Sequence, residues 1–257
     1  MTREIRVKVQ GDEGAPPVIL LHGWTMTGGI WGPVMERLPA RCYAPDLPAH
    51  GATTGYAPSV GGGVALLGDL IAEQGIEGAT LVGWSLGALI GWRYLAGGGR
   101  GIARMVSLDM SPCPLPAPGW DFSMRGQSAD KAARGAARFR ADWPGAARAI
   151  AQGMFARPEA VQPGIEAGIR RQDPEAMARF WESLVAVDQR EAIATLDLPL
   201  LAIHGAESRV YAPETGGWIA RAARQGSVAV LPGCGHAPNL EDPDSTAAAI
   251  RDFARLA

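Results

Sequence analysis

Ser85 stands at the centre of the motif Gly83-Trp84-Ser85-Leu86-Gly87, between a short apolar run and an Ala- and Leu-rich stretch. A G-x-S-x-G sequence between a strand and a helix forms a sharp turn that exposes the serine hydroxyl at the end of a sheet. Glycines avoid side-chain clashes at such a bend, and the helix that follows brings its positive dipole end beneath the hydroxyl. The pattern predicts a nucleophilic serine, although a glycine-rich turn around an inert serine has the same sequence.

A serine hydroxyl needs a neighbouring base to remove its proton, and the chain has four histidines that could do so. His22 and His50 precede Ser85, whereas this arrangement supplies its histidine last along the chain. His204 ends an apolar run, and we expect it to orient its own backbone turn. His236 lies in a glycine-rich loop after the last apolar run, and its imidazole can accept a proton near pH 7. His236 is therefore the predicted base, with a purely structural role as the alternative.

An ester carbonyl under attack develops an oxyanion, which needs two converging backbone N–H groups. The amide of Leu86, next to the nucleophile, and that of Trp24, in an early His-Gly-Trp sequence, are the predicted donors. Trp24 and Trp84 flank the predicted centre and are candidate substrate-binding walls of an acyl pocket. Large aromatic side chains are as often simple core packing, so this second role is the weaker interpretation.

Short apolar runs that alternate with helix-like stretches must position these residues. The runs are continuous rather than alternating in polarity, which indicates strands buried on both faces of a parallel sheet. They cover residues 18–21, 42–44, 81–82, 105–108, 200–203 and 228–231, and helix-like stretches cover residues 63–74, 86–96 and 245–256. Strand and helix in repeated succession predict an α/β fold, with a mostly parallel central sheet and helices on both faces.

Residues 112–187 interrupt this rhythm. Ala- and Arg-rich stretches at 129–141, 146–155 and 175–184, separated by prolines, predict a helical cap inserted into a core of residues 1–111 and 188–257. The insertion carries ten basic and eight acidic side chains. This balance fits solvated helix faces, and it also fits a weakly basic docking surface for an acidic partner.

The combination of HGW, DLPAHG, GWSLG and GCGHAPNLEDP resembles the α/β-hydrolase superfamily over nearly the whole chain, with the insertion at the position of that family's variable cap. The sequences Ser-Pro-Cys at 111–113 and Val-Asp-Gln-Arg at 187–190 are similar to the pimeloyl-acyl-carrier-protein methyl ester esterases of biotin synthesis. The resemblance implies an α/β-hydrolase fold with a helical cap, and a serine carboxylic-ester hydrolase that forms an acyl-enzyme. It also implies an acyl carrier protein as a partner.

The residue that orients the histidine departs from the family pattern. Superfamily members usually place this acid in a Gly-x-x-Asp turn after the next-to-last strand, but the turn that begins at Gly205 has Ser208 there. Some α/β-hydrolases take the acid from the end of the neighbouring strand, which here is Asp109. Strands lie roughly 4.8 Å apart, so a carboxylate there can still reach the same imidazole. We expect Asp109 to orient His236 and Ser208 to hydrogen-bond to one of them. Glu207 is the rival acid, and capping of a local turn is the other role open to Asp109.

Composition excludes other function classes. The 257 residues carry 24 basic and 26 acidic side chains, so no basic excess favours nucleic acid. The charged N-terminal segment and the lack of any apolar run of roughly 18 residues predict no membrane partner and a cytoplasmic location. Three scattered cysteines and unclustered histidines predict no disulfides and no metal, and the lack of nucleotide-binding glycine loops predicts no cofactor. The expected substrate is a small-molecule ester. A general short-chain carboxylesterase, a thioesterase and a non-catalytic ligand-binding protein on the same fold remain the alternatives.

Overall fold

A single mixed sheet forms the centre of the computed structural model, which describes residues 2–256. Its strands, in chain order, are β1 (Val7–Gln10), β2 (Pro17–Leu21), β3 (Arg41–Pro45), β4 (Ala79–Trp84), β5 (Ile102–Leu108), β6 (Pro199–Gly205) and β7 (Gln225–Leu231). Their spatial order is β1-β3-β2-β4-β5-β6-β7. β1 pairs antiparallel with β3, and every other neighbouring pair is parallel. The predicted mostly parallel sheet is therefore confirmed.

Helices cover both faces of this sheet, as predicted. They are α1 (Gly32–Met35), α2 (Val60–Gln74), α3 (Leu86–Ala96), α4 (Ala129–Ala141), α5 (Trp143–Met154), α6 (Ile165–Arg170), α7 (Pro174–Val185), α8 (Arg190–Thr195), α9 (Glu214–Ala222), α10 (Pro238–Glu241) and α11 (Pro243–Ala254). Two short 3₁₀ turns span Gly28–Trp31 and Pro158–Ala160. Within residues 2–256, no helix has both the length and the apolarity that a bilayer crossing requires.

The central strands owe their stability to burial on both faces. All six residues of β4 are buried, and β2 is buried along its last four residues, Val18 to Leu21. Burial of Leu, Ile and Val on either face of the sheet stabilises the folded state, because apolar side chains leave water. This explains why the runs do not alternate in polarity. The polar turns after these strands therefore lie along one edge of a rigid, dry sheet.

Two strands differ from the sequence expectation. β1 was not predicted, because its Val-Lys-Val-Gln sequence is short and half polar; it is an edge strand that stays partly exposed. The run at 228–231 was predicted to be buried on both faces, and this is wrong for β7. Val228 and Val230 are each 45% exposed, because β7 forms the opposite edge of the sheet and helices cover it incompletely.

The segment between β5 and β6 contains α4 to α8. The predicted helix at 129–141 matches α4, while the stretch at 146–155 begins earlier, at Trp143, because Asp142 caps the N-terminus of α5 through the backbone N–H of Gly145. α6 was not predicted, since six residues are too few to show a helical period. The indole N–H of Trp24 donates to the carbonyl of Met177 in α7, so a hydrogen bond connects this segment to the loop after β2. Its division from the core at residues 112–187 stays our interpretation.

Candidate active site

The turn between β4 and α3 holds Ser85 in a strained conformation. Its φ of +52° lies in the left-handed region, which side chains other than glycine seldom adopt. A Cβ at Gly83 would clash with the backbone at the start of α3, and one at Gly87 would clash with the carbonyl of Leu21. The backbone N–H of Ser85 donates to the carbonyl of Leu108 at 2.9 Å. The motif therefore fixes the hydroxyl at the carboxyl edge of the sheet.

Ser85, His236 and Asp109 form one continuous hydrogen-bonded chain. His236 Nε2 lies 3.1 Å from Ser85 Oγ, and His236 Nδ1 lies 2.8 Å from Asp109 Oδ1. A carboxylate can only accept, so Nδ1 carries the ring proton and Nε2 is free to accept the hydroxyl proton. The structure thus brings together three side chains that are separated by up to 151 residues in sequence.

Asp109 is completely buried at the end of β5, with φ at +41°. Its Oδ1 also accepts the hydroxyl of Ser208 at 2.8 Å, and its Oδ2 accepts the backbone N–H of Gly205 at 3.0 Å. A buried carboxylate without such donors would be strongly destabilised, so these contacts offset the cost of its burial. Glu207, the rival acid, is exposed, and its backbone N–H donates to the carbonyl of Cys234.

The loop that carries His236 is fixed from several sides. Its backbone N–H donates to the carbonyl of Met154, and its carbonyl accepts the indole N–H of Trp84 at 2.6 Å. Glu241 accepts the backbone N–H groups of Gly235 and Ala156, each at 2.7 Å. Burial raises the pKa of the Glu241 carboxyl. Sequence reasoning missed these two hydrogen bonds of Glu241, although the residue lies within the GCGHAPNLEDP sequence used for the resemblance.

Two buried histidines hold the early loop. His50 Nε2 accepts the backbone N–H of Thr25 at 3.1 Å, and His22 Nε2 accepts that of Leu47 at 2.8 Å. Each Nδ1 lies within 3 Å of a backbone carbonyl and donates to it. Burial lowers the pKa of His22 to about 4 and that of His50 to about 3. Both rings are therefore neutral anchors that fix the backbone on either side of Trp24.

The two predicted oxyanion donors lie beside Ser85. Leu86 is the first residue of α3, and Trp24 lies in the loop after β2. Neither backbone N–H donates to another described residue, so both are available to a bound atom. Gly23 packs against the Trp84 ring so closely that a Cβ there would lie 3.1 Å from it.

An apolar cavity of about 170 Å³ opens at Ser85 and His236. Trp24 and Trp84, the predicted walls, both line it. Sequence reasoning missed the rest of the lining, which comes from the inserted segment and the loop after β6: Met124, Ile150, Gly153, Met154, Trp181, Leu184, Val210 and Tyr211. A larger groove of about 450 Å³, between residues 25–30 and α6, contains neither Ser85 nor His236.

His204 does not behave as expected. It is fully buried, but neither ring nitrogen hydrogen-bonds to its own turn or to any other described residue. Instead its Nδ1 lies 3.7 Å from Asp109 Oδ2. The expectation that His204 orients its backbone turn is therefore wrong, because β6 points the ring at the neighbouring strand end rather than along its own chain.

Comparison with known proteins agrees with this architecture. Residues 18–249 match the sequence profile of the Alpha/beta hydrolase family. The chain is 28% identical to a pimeloyl-[acyl-carrier protein] methyl ester esterase of Aromatoleum aromaticum, covering 93% of this chain and 98% of that protein. It is also 28% identical to one from Neisseria meningitidis, covering 98% of this chain and 97% of that protein.

Solved structures give the same picture. An esterase from Exiguobacterium antarcticum superposes with a TM-score of 0.90 at 18% identity, over 98% of this chain and 96% of that one. An esterase from a Rhodococcus species superposes with a TM-score of 0.81 at 25% identity, over 99% of this chain and 96% of that one. The chain therefore belongs to the α/β-hydrolase family and is a carboxylic-ester hydrolase.

Proposed function

We propose that the chain hydrolyses esters through an acyl-enzyme on Ser85, with His236 as the base and Asp109 as the acid that orients it. The observation that carries this proposal is the position of one imidazole, 3.1 Å from the Ser85 hydroxyl on one side and 2.8 Å from a buried carboxylate on the other. Such an arrangement activates a hydroxyl that is otherwise a poor nucleophile.

In the first half-reaction, Ser85 Oγ attacks the ester carbonyl carbon while His236 Nε2 takes the hydroxyl proton. The carbonyl oxygen becomes an oxyanion, which the N–H groups of Trp24 and Leu86 stabilise. Asp109 stabilises the imidazolium that forms and holds its ring in position. When the tetrahedral intermediate collapses, the bond to the alcohol breaks and His236 returns the proton to the leaving oxygen.

In the second half-reaction, a water molecule takes the place of the alcohol. His236 removes one of its protons as the water oxygen attacks the acyl carbon, and the same two N–H groups stabilise the new oxyanion. Collapse breaks the bond to Ser85, which recovers its proton from His236. The products are a carboxylic acid, an alcohol and the unchanged protein.

The substrate that we propose is a methyl ester of a dicarboxylate carried by an acyl carrier protein. The names of the curated relatives support this, and so does the apolar lining of the cavity, which suits a hydrocarbon chain. Arg134 and Arg138 on α4 are exposed and form no ion pair with another described residue. Arg148 on α5 faces Glu166 at 3.8 Å. A weakly basic surface of this kind would attract an acidic carrier.

Two further arginines lie close to the mouth of the cavity. Arg125 follows the lining residue Met124, and Arg209 precedes the lining residue Val210. The backbone N–H of Arg125 donates to the carbonyl of Val210, which joins the two segments. Both arginines are exposed, and neither forms an ion pair with a described residue. They add positive charge at the entrance through which a carrier-linked ester would pass.

Hydrolysis of p-nitrophenyl acetate and p-nitrophenyl butyrate by the wild type and by Ser85→Ala tests the catalytic proposal. We expect the substitution to remove nearly all activity on both esters, because the nucleophile is lost. Equal background rates for the two proteins would instead indicate a non-catalytic ligand-binding member of the fold. A general short-chain carboxylesterase or a thioesterase is the second candidate. The small cavity favours it, and such an enzyme would show no preference for the carrier-linked ester.

A further inference from the structure

The mechanism uses neither nitrogen of His204, although this ring lies beside its buried acid. Both ring nitrogens are inaccessible and have no hydrogen-bond partner among the described residues. A buried polar group without a partner is costly, so its position calls for a physical explanation. Nδ1 lies 3.7 Å from Asp109 Oδ2, which is too far for a hydrogen bond but close for a charge in a dry interior.

The surroundings of Asp109 indicate what the ring can contribute. Oδ1 already accepts two hydrogen bonds, from His236 and Ser208, whereas Oδ2 accepts only the backbone N–H of Gly205. His204 Nδ1 faces the side of the carboxylate that has spare accepting capacity. If Nδ1 carried a lone pair, it would face the lone pairs of Oδ2 and be repelled, so the favoured tautomer carries the proton on Nδ1.

The ring is also held in this orientation. A Cβ at Gly216 in α9 would lie 2.8 Å from His204 Cδ2, so the helix backbone packs directly on the ring edge. Burial lowers the pKa of His204, which keeps the ring neutral beside the second imidazole of His236. A neutral N–H dipole aimed at Oδ2 stabilises the charged carboxylate without adding a second cation to the site.

We propose that His204 is a positioning residue, whose neutral Nδ1–H dipole faces Asp109 Oδ2 across 3.7 Å and, by electrostatic attraction, holds the carboxylate against the His236 ring. The inference rests on the proposed function, because it assigns Asp109 as the orienting acid. The His204 N–H dipole partly offsets the negative charge of Asp109. The carboxylate therefore attracts the proton of the His236 ring less strongly. Without this N–H, kcat/KM should reach its plateau only at a higher pH.

Few other groups can titrate around this cluster. The ionisable side chains whose charges affect the pKa of His204 are Asp109 and His236. Burial raises the pKa of Cys234 to about 12 and also raises that of Tyr211, so both are neutral from pH 5 to pH 9. Glu241 also acts on His236, but it is common to every variant compared below and cannot produce a difference between them.

The test measures kcat/KM for p-nitrophenyl butyrate from pH 5 to pH 9 in three variants. His204→Phe keeps the ring and loses the donor. His204→Asn keeps an N–H near the position of Nδ1, while His204→Gln places its amide near the position of Nε2. We expect His204→Phe and His204→Gln to lower kcat/KM about tenfold, because the acid is held less well. We expect the acid limb of the profile to move up by about half a pH unit. His204→Asn should keep the wild-type limb.

The outcomes distinguish two roles of His204: an N–H group that acts on Asp109, and a ring that only packs in the core. A wild-type profile in His204→Phe and His204→Gln would overturn the proposal, as would a shifted limb in His204→Asn. If His204→Phe fails to fold, as judged by circular dichroism, the Asn and Gln pair still decides. Ser85→Ala is measured alongside: if it retains activity, the proposed function fails, whereas an inactive Ser85→Ala with unshifted His204 variants rejects only the inference about His204.

Discussion

At the scale of single residues, the acid that we propose for the site lies one strand away from the usual position and still contacts His236. Asp109 at the end of β5 reaches His236, and Ser208, at the usual place of the acid, donates its hydroxyl to that carboxylate. A serine at this position removes a competing charge and supplies a donor instead. The left-handed φ of Asp109 is a local strain, which the four hydrogen bonds of its carboxylate and backbone N–H offset.

Asp109→Asn should lower kcat for p-nitrophenyl butyrate by roughly 10⁴-fold, the loss seen when the acid of a protease triad is changed to its amide. The amide can present an N–H to His236 Nδ1, which favours the wrong tautomer for proton abstraction. Glu207→Gln is the matched control and should stay within a few-fold of the wild type, because its side chain is exposed. A severe loss in Glu207→Gln, with near-normal Asp109→Asn, would overturn the assignment.

Sequence reasoning could identify Ser85, Asp109 and His236 because each carries a reactive group in a turn or loop that follows an apolar run. It could also predict that Ser208 contacts one of them, since Ser208 stands at the position where family members usually have the acid. It could not find Glu241 or the role of His204, because both depend on which way a side chain turns after the chain has folded. A Glu five residues after a predicted catalytic His is the signal that was available for Glu241.

At the scale of elements, the loop after β2 depends on two histidines that must remain neutral. Burial places the pKa of His22 near 4 and that of His50 near 3, whereas unfolded histidines titrate near 6.5. Between these values the unfolded chain binds protons that the folded chain does not. The free energy of unfolding is therefore intact above pH 6.5 and decreases as the pH falls toward 4.

We predict that acidification from pH 7 to pH 5 destabilises the protein by about 2 kcal/mol for each of these two rings, with a further contribution from buried His204. Urea unfolding followed by circular dichroism at several pH values measures the effect. His50→Asn removes one titrating ring. Between pH 6.5 and pH 4, it should therefore lower the pH dependence of the free energy of unfolding by the equivalent of about one bound proton. An unchanged slope, or stability that rises on acidification, would contradict the assignment of neutral anchors.

The central strands were predictable because burial on both faces leaves a continuous apolar run in the sequence. The edges were not. β1 and β7 are partly exposed and half polar or short, so periodicity alone misses the first and overestimates the burial of the second. α6 has only six residues and follows a glycine with positive φ, Gly164, and a stretch this short shows no helical period. Predictions of this kind fail where tertiary contacts, rather than local pattern, decide the structure.

At the scale of the whole molecule, the direction of the parallel strands separates two ends of the protein. The carboxyl ends carry the site, the cavity and the inserted segment, whereas the other end carries the loops that enter the strands. A large partner that delivers an ester must approach the first of these ends. The fold could be predicted from the sequence because the motifs and the strand pattern agree, but the cavity lining could not, since it depends on how α5 and α7 pack over the sheet.

Charge reversal on the inserted segment tests the carrier proposal. The triple variant Arg134→Glu, Arg138→Glu and Arg148→Glu should lower kcat/KM at least tenfold on a methyl ester linked to an acyl carrier protein, because an acidic partner would be repelled. Activity on p-nitrophenyl butyrate should stay unchanged, since none of these residues lines the cavity. The loss should also shrink as salt is added.

A matched triple variant supplies the control. Arg93, Arg100 and Arg221 lie near the entering ends of the strands, away from the cavity, and all three are exposed. Their reversal to Glu changes the net charge equally and should leave carrier-linked activity close to the wild type. Equal effects of the two triple variants, or no effect of either, would reject docking through the inserted segment.

The most direct test of the triad is a crystal structure of the protein after reaction with an alkyl fluorophosphonate. We predict that phosphorus is bonded to Ser85 Oγ, with fluoride expelled, and that the phosphonyl oxygen accepts the N–H groups of Trp24 and Leu86. His236 should lie between the adduct and Asp109, in hydrogen-bond contact with the carboxylate. An adduct on another residue, or another acid beside His236 with Asp109 out of contact, would contradict the account.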